Sequence, residues 1–135
     1  MGHYIDWDNK AKTVVIQSYT TNSSKDDLYH LARKSADLLH SVTHTVHLII
    51  DERNINLVLS STDMKYLEKL TPKNQGAVVM VVQPTKLLYK TAVQGLGKII
   101  GPNAFAQPYF VESVEAAREF LQNSFDVNYL ADTRK

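Results

Sequence analysis

Three groups of residues carry side chains with chemical potential. Ser60, Ser61 and Thr62 stand together ahead of a stretch with helical apolar spacing. A phosphoryl group accepted there would meet the free N–H groups and positive dipole end of a helix. The same hydroxyls would equally serve as caps that satisfy those N–H groups. Asp51 closes the apolar run Val46-His47-Leu48-Ile49-Ile50, and Arg53 follows two residues later. An acid at the carboxyl end of a buried strand lies where open α/β sheets place ligands. A receiver-type phosphoacceptor would also need an acidic pair after its first strand to hold Mg²⁺, and nothing after Ile16 supplies one. Asp51 therefore reads as an acceptor for its own loop or a partner for Arg53. In the third group, Lys86 and Lys90 lie four apart with Tyr89 between them. Lys86 would sit in the first turn of a helix, against the dipole, so a purely structural role explains it poorly. An anionic ligand or an acidic partner fits this surface, as does a plain solvated face.

Other chemistries find no support. The chain has no cysteine, which excludes disulfides, thiolate metal sites and a thiol nucleophile, and suits a reducing compartment. Of His30, His40, His44 and His47, His40 and His44 straddle a helix end and His47 belongs to a strand, and no acid lies at ligand spacing from His40 or His44, so no metal is expected. Gly95-Leu96-Gly97 falls late in a helix, where it cannot form a phosphate loop. No nucleophile–base pair can be assembled from local spacing, so the chain reads as a non-enzyme with no cofactor. Between Lys69 and Phe110 there is no acid, while Lys69, Lys73, Lys86, Lys90 and Lys98 all fall there. These lysines are too sparse to suggest nucleic-acid binding.

The elements that must position these residues follow from apolar periodicity. Residues 3–8 alternate, Asp8-Asn9-Lys10 is turn chemistry, and Thr13–Gln17 is β-branched, so the chain opens on a hairpin. Ser23 or Ser24 caps a first helix whose Leu28, Leu31 and Leu39 should face a sheet. The unalternating run 46–50 suggests a strand covered on both faces, as in parallel sheets. A polar loop follows, and Leu57-Val58-Leu59 would lie over the sheet's end. Ser60 with Asp63, or Ser61 alone, would cap a second helix that ends at Thr71-Pro72. Gly76–Val82 should be a central strand. Thr85 would cap a third helix bearing Leu87, Leu88, Ala92, Leu96 and Ile99. Phe105–Val111 reads as a final strand, placed at an edge by Pro108, and Ser113 caps a fourth helix. Tyr4, Trp7, Tyr19 and Tyr29 would pack in the core or wall a pocket. The fold class expected is α/β, a mixed, mostly parallel five-stranded sheet in the order β-β-α-β-α-β-α-β-α.

The segments "HYIDWDNKAKTVVIQ", "VHLIIDERN", "GAVVMVVQP" and "YFVESVEAAREFLQ", taken in this order, resemble the STAS domain superfamily, and within it the SpoIIAA-like family, over His3 to Leu121. The resemblance implies a non-enzymatic regulatory module that acts through a protein partner. In the anti-sigma-factor antagonists of that superfamily, a serine at the start of the second helix is phosphorylated. Leu59-Ser60-Ser61-Thr62-Asp63 stands at that place here. It departs from the antagonists' Asp-Ser-Ser-Gly core, because Leu59 replaces the acid and no glycine follows. The SpoIIAA-like branch also resembles lipid-binding CRAL-TRIO domains in topology, which implies a small apolar or anionic ligand instead.

The resulting expectation is one cytoplasmic domain over residues 1–122, followed by a tail, 123–135, that docks on the domain or enters a dimer contact. Its 135 residues suit one core, and no apolar run approaches the roughly 20 residues of a membrane span. The edge strand and the tail residues Phe125, Tyr129 and Leu130 call for cover, which a homodimer would supply. A regulatory protein-interaction module and a carrier or sensor of a small ligand, held between the second and third helices and the sheet, are the two functional readings.

Overall fold

A computed structural model describes residues 3–20, 23–54 and 59–129, without the side chain of Tyr89. The expected apolar positions Leu57 and Val58, and Leu130 in the tail, lie outside the described residues. The strands are β1 (His3–Trp7), β2 (Val14–Tyr19), β3 (Val46–Asp51), β4 (Gln75–Val81) and β5 (Pro108–Val111). The helices are α1 (Lys25–His40), α2 (Ser61–Leu70), α3 (Leu87–Ile100) and α4 (Val114–Phe125). The strands form one mixed sheet in the order β1-β2-β3-β4-β5, with β1 antiparallel to β2 and the other pairs parallel. The expected order of elements and sheet type hold.

Strand order has a consequence for layering. Each crossover, β2 to β3, β3 to β4 and β4 to β5, advances in the same direction across the sheet. Right-handed connections that all advance one way put their helices on one face. Leu38 and Leu39 of α1 accordingly pack with Val15, Leu48, Val78 and Met80, and α2 and α3 lie over the same side. The opposite face, carrying Val14, Ile16, Ile49, Val79 and Val81, is covered by Ala117 and Leu121 of α4 and by the tail residues Val127 and Tyr129. Both faces of β2, β3 and β4 are therefore buried, which is why these strands show little alternation in sequence.

The tail is folded back by local geometry. Asp126 takes a left-handed conformation (φ 56°) at the C-cap of α4, a position that short polar side chains tolerate better than most. The reversal brings the Val127 N–H to the Leu121 carbonyl at 3.2 Å. Asp8, in the β1–β2 turn, then accepts from Tyr129 Oη at 2.6 Å and from Arg118 Nε and a terminal guanidinium nitrogen at 3.0 and 2.7 Å. Asn9 adds a bond from Nδ2 to the Asn128 carbonyl at 3.2 Å.

Several expected boundaries move, two of them for a visible reason. Thr85 lies inside a short 3-10 turn, Pro84–Lys86, so α3 begins one residue after Lys86, which occupies its cap position. The proline fixes the first φ of that turn and removes a donor, which favours the tighter turn before the α-helix proper. The last strand starts at Pro108 rather than Phe105, because the Phe105 ring turns inward beneath α3. A Cβ at Gly97 would lie 2.6 Å from that ring, so glycine is required for this close approach.

His47, on the α4 face, stacks at 4.9 Å on the Phe125 ring and accepts the Ala77 N–H on Nδ1 at 2.9 Å. Burial holds its pKa below the usual 6.5. The folded state thus prefers the neutral ring, so this contribution is complete above about pH 6.5 and shrinks as pH falls below it. The urea midpoint of the wild type should drop between pH 7.5 and 5.5, and the drop should be smaller in His47→Gln. Equal pH slopes in the two proteins would refute this assignment.

Candidate functional site

α3 packs chiefly on α2 and stands away from the sheet. Between the sheet and α1, α2 and α3 lies a cavity with about 140 Å³ accessible to the centres of water molecules. At about 10–15 Å³ of such volume per water, it has room for about ten waters. Its walls are built from the strand positions that face the three crossover helices: Gln17 and Tyr19 of β2, Leu48 and Ile50 of β3, Val78 and Met80 of β4, and Phe110 of β5. Leu28 and Ala32 of α1, Leu67 and Leu70 of α2, Val93 of α3 and the Phe105 ring complete the apolar lining.

Set into this apolar wall are a few polar groups. Lys90 of α3 donates to the Glu52 carboxylate at 2.7 Å, with side chains only 11% and 19% exposed. This ion pair ties α3 to the end of β3. Gln17, Tyr19, Ser35 and Gln94 are buried residues that line the cavity. None has a side-chain hydrogen bond among the described residues. Yet no buried side-chain polar atom there is both sealed from solvent and unpartnered. All four residues belong to the cavity wall. Burial, then the carboxylates of Glu52 and Asp27, push the Tyr19 hydroxyl far above its ordinary pKa, so it keeps its proton.

The residues singled out in the sequence fall into three separate places. Asp51 is buried on the α4 side of the sheet, since Leu48 and Ile50 face the cavity and Asp51 shares the parity of Ile49. Arg53 binds it through Nε at 2.9 Å and a terminal nitrogen at 2.8 Å, so this pair does not share a site with Lys90. Side-chain alternation along β3 enforces the separation. Lys86 lies in the 3-10 turn and does not line the cavity, Tyr89 lies in α3, and Lys90 turns inward. The expected lysine face is thus divided, and its inner member is already neutralised by Glu52.

Ser60 is the N-cap of α2: its Oγ accepts from Asp63 N at 3.1 Å while Asp63 accepts from Ser60 N at 2.9 Å. Ser61 and Thr62 are exposed in the first turn. Asp63 is the hub beneath them. It also accepts from Lys25 Nζ at 2.6 Å and from Tyr29 Oη. Burial opposes ionisation of Asp63, but the Lys25 ammonium, the Tyr29 hydroxyl and Ser60 outweigh it and hold the carboxyl well below the usual range. A phosphate on Ser60 would lose the capping geometry and face this carboxylate.

The apolar residues of α3 do not all face inward. Leu88 is 86% and Ile99 79% exposed, and Leu87 and Leu96 are also exposed. A helix held off the sheet buries only a narrow strip, here Gln94 and Gly97 with Val93 partly covered. Among the described residues, no group of three or more His, Asp or Glu side chains is placed to hold a metal. No helix there is long and apolar enough to cross a membrane. Neither a protein-family model, nor a curated protein, nor a solved structure matches the chain.

Proposed function

We propose that this protein is a non-enzymatic carrier or sensor of a small, largely apolar ligand, held in the cavity between the sheet and α1, α2 and α3. The observation that carries this reading is the cavity lining: an apolar wall interrupted by buried polar groups that have no partner in the described protein. Sites for small molecules have this composition, in which apolar surface provides affinity and a few polar groups fix orientation. An apolar void left dry would forfeit packing energy without return. Gly95 and Gly97 lower helix stability by about 1 kcal/mol each relative to alanine, which suits a helix that must shift to admit a ligand. The arrangement of strands and helices supports placing the chain with STAS-type domains of the SpoIIAA-like kind, and that affiliation is part of the proposal.

A second reading, a regulatory protein-interaction module, draws on the exposed Leu88, Leu96 and Ile99 of α3, because solvent-facing apolar residues on one helix favour a partner surface. The two readings are compatible if occupancy of the cavity changes the pose of α3.

Titration of the methyl-labelled protein with 1-octanol tests the carrier reading. The expected result is saturable shifts at Leu67, Ile50 and Met80, lost by at least tenfold in affinity in Ala32→Phe, whose ring fills the cavity. Absence of saturable shifts at these methyls would refute the carrier.

A further inference from the structure

The chemistry at the polar positions of the cavity narrows the ligand class. Among the described residues, Glu52 and Lys90 are the only charged side chains that line it, and they are already joined at 2.7 Å. Their charges cancel. An anionic ligand would have to displace Glu52 from the ammonium, leaving that carboxylate uncompensated, or remain unpaired itself, and burying a charge without a partner is costly. A cationic ligand meets the mirror-image difficulty at Lys90. The remaining polar groups are uncharged. Gln17 and Gln94 offer amides, Tyr19 and Ser35 offer hydroxyls, and each type both donates and accepts. All four belong to buried residues that line the cavity, and none makes a side-chain hydrogen bond among the described residues.

We infer that the cavity selects a neutral amphiphile, a hydrocarbon of about ten non-hydrogen atoms ending in an uncharged group that both donates and accepts hydrogen bonds, in preference to a fatty carboxylate. This rests on the carrier reading above and specifies its ligand class. A site built to pair uncharged donors and acceptors rejects analogues that leave those groups unmatched.

Octanamide, octanoate and octanamidinium are nearly isosteric and differ in charge, so they separate this effect from chain length. In calorimetric titrations of the full chain at pH 7.5, octanamide should bind at least tenfold more tightly than either ion. Glu52→Gln frees the ammonium and should move the octanoate-to-octanamide affinity ratio at least tenfold toward octanoate. Lys90→Met should move the octanamidinium ratio the same way toward the cation. Octanoate binding as tightly as octanamide to the wild type would overturn the neutral-ligand assignment and leave the carrier reading standing. Binding of none of the three would overturn both. The wild-type comparison decides the matter even where a variant fails to fold.

Discussion

Replacing Tyr129 by alanine is expected to destabilise the protein by about 3–4 kcal/mol, the usual cost of deleting a buried aromatic ring. The ring is buried against the α4 face of the sheet, among Val14, Ile16 and Val79. Its hydroxyl donates to Asp8 at 2.6 Å. Tyr129→Phe separates the two contributions. It keeps the ring and removes one hydrogen bond to a carboxylate that Arg118 still holds, so it should cost about 1–2 kcal/mol. Against a total stability of about 5–15 kcal/mol, the alanine variant loses a substantial fraction of its fold at 37 °C. Urea denaturation of both variants at pH 7 checks this. A loss under about 1 kcal/mol for the alanine variant would show that the segment after α4 adds little to the domain.

Asp63→Ala is the second large effect, expected to cost about 2–3 kcal/mol. The change removes the cap interaction that Asp63 gives Ser60 and leaves Lys25 and Tyr29 of α1 without their acceptor. Lys25 is partly exposed and recovers some solvation, which keeps the loss below that of a fully buried pair. Because the folded carboxyl has a depressed pKa, its stabilisation is complete above the unfolded value, near 3.9, and is lost as pH falls below that. Wild-type stability should therefore fall between pH 5 and 2.5 more steeply than that of Asp63→Asn. Parallel urea midpoints for the two proteins across that range would refute the role of the hub.

The fold was legible because its signals are local and repeated. The hairpin showed in the alternation of His3–Trp7 and the turn at Asp8-Asn9, and the parallel strands in the unbroken runs around Ile49 and Val79. The capping box of α2 was readable in Ser60 and Asp63, since a cap needs only a spacing of three residues. The site was legible only in part. The sequence points to a ligand between the second and third helices and the sheet, and the cavity lies there with Lys90 in its wall. Glu52, Gln17, Ser35 and Gln94 are not among the expected positions, while Asp51, which is, lies on the opposite face of the sheet. Spacing along a chain does not report which face of a covered strand a residue takes, because both faces of β3 are apolar and the period-2 signal is absent. Ser35 and Gln94 look like ordinary exposed polar positions on amphipathic helices. Only the stand-off of α3 makes Gln94 a wall, and that distance is set by tertiary packing. The one available clue was Gln17, a polar residue at the end of a β-branched run that should be wholly buried.

The one-way winding of the sheet also bears on how the protein is made. Every strand is synthesised before α4 and the segment to Tyr129, which together cover one face of β2, β3 and β4. The contact between Tyr129 and Asp8 spans 121 positions of the chain, and such closures form late because their loop entropy must be met first. A nascent chain therefore emerges from the ribosome with Val14, Ile16, Ile49 and Val79 bare on one side. That side stays open to association until the segment from Val114 to Tyr129 has arrived and packed on it.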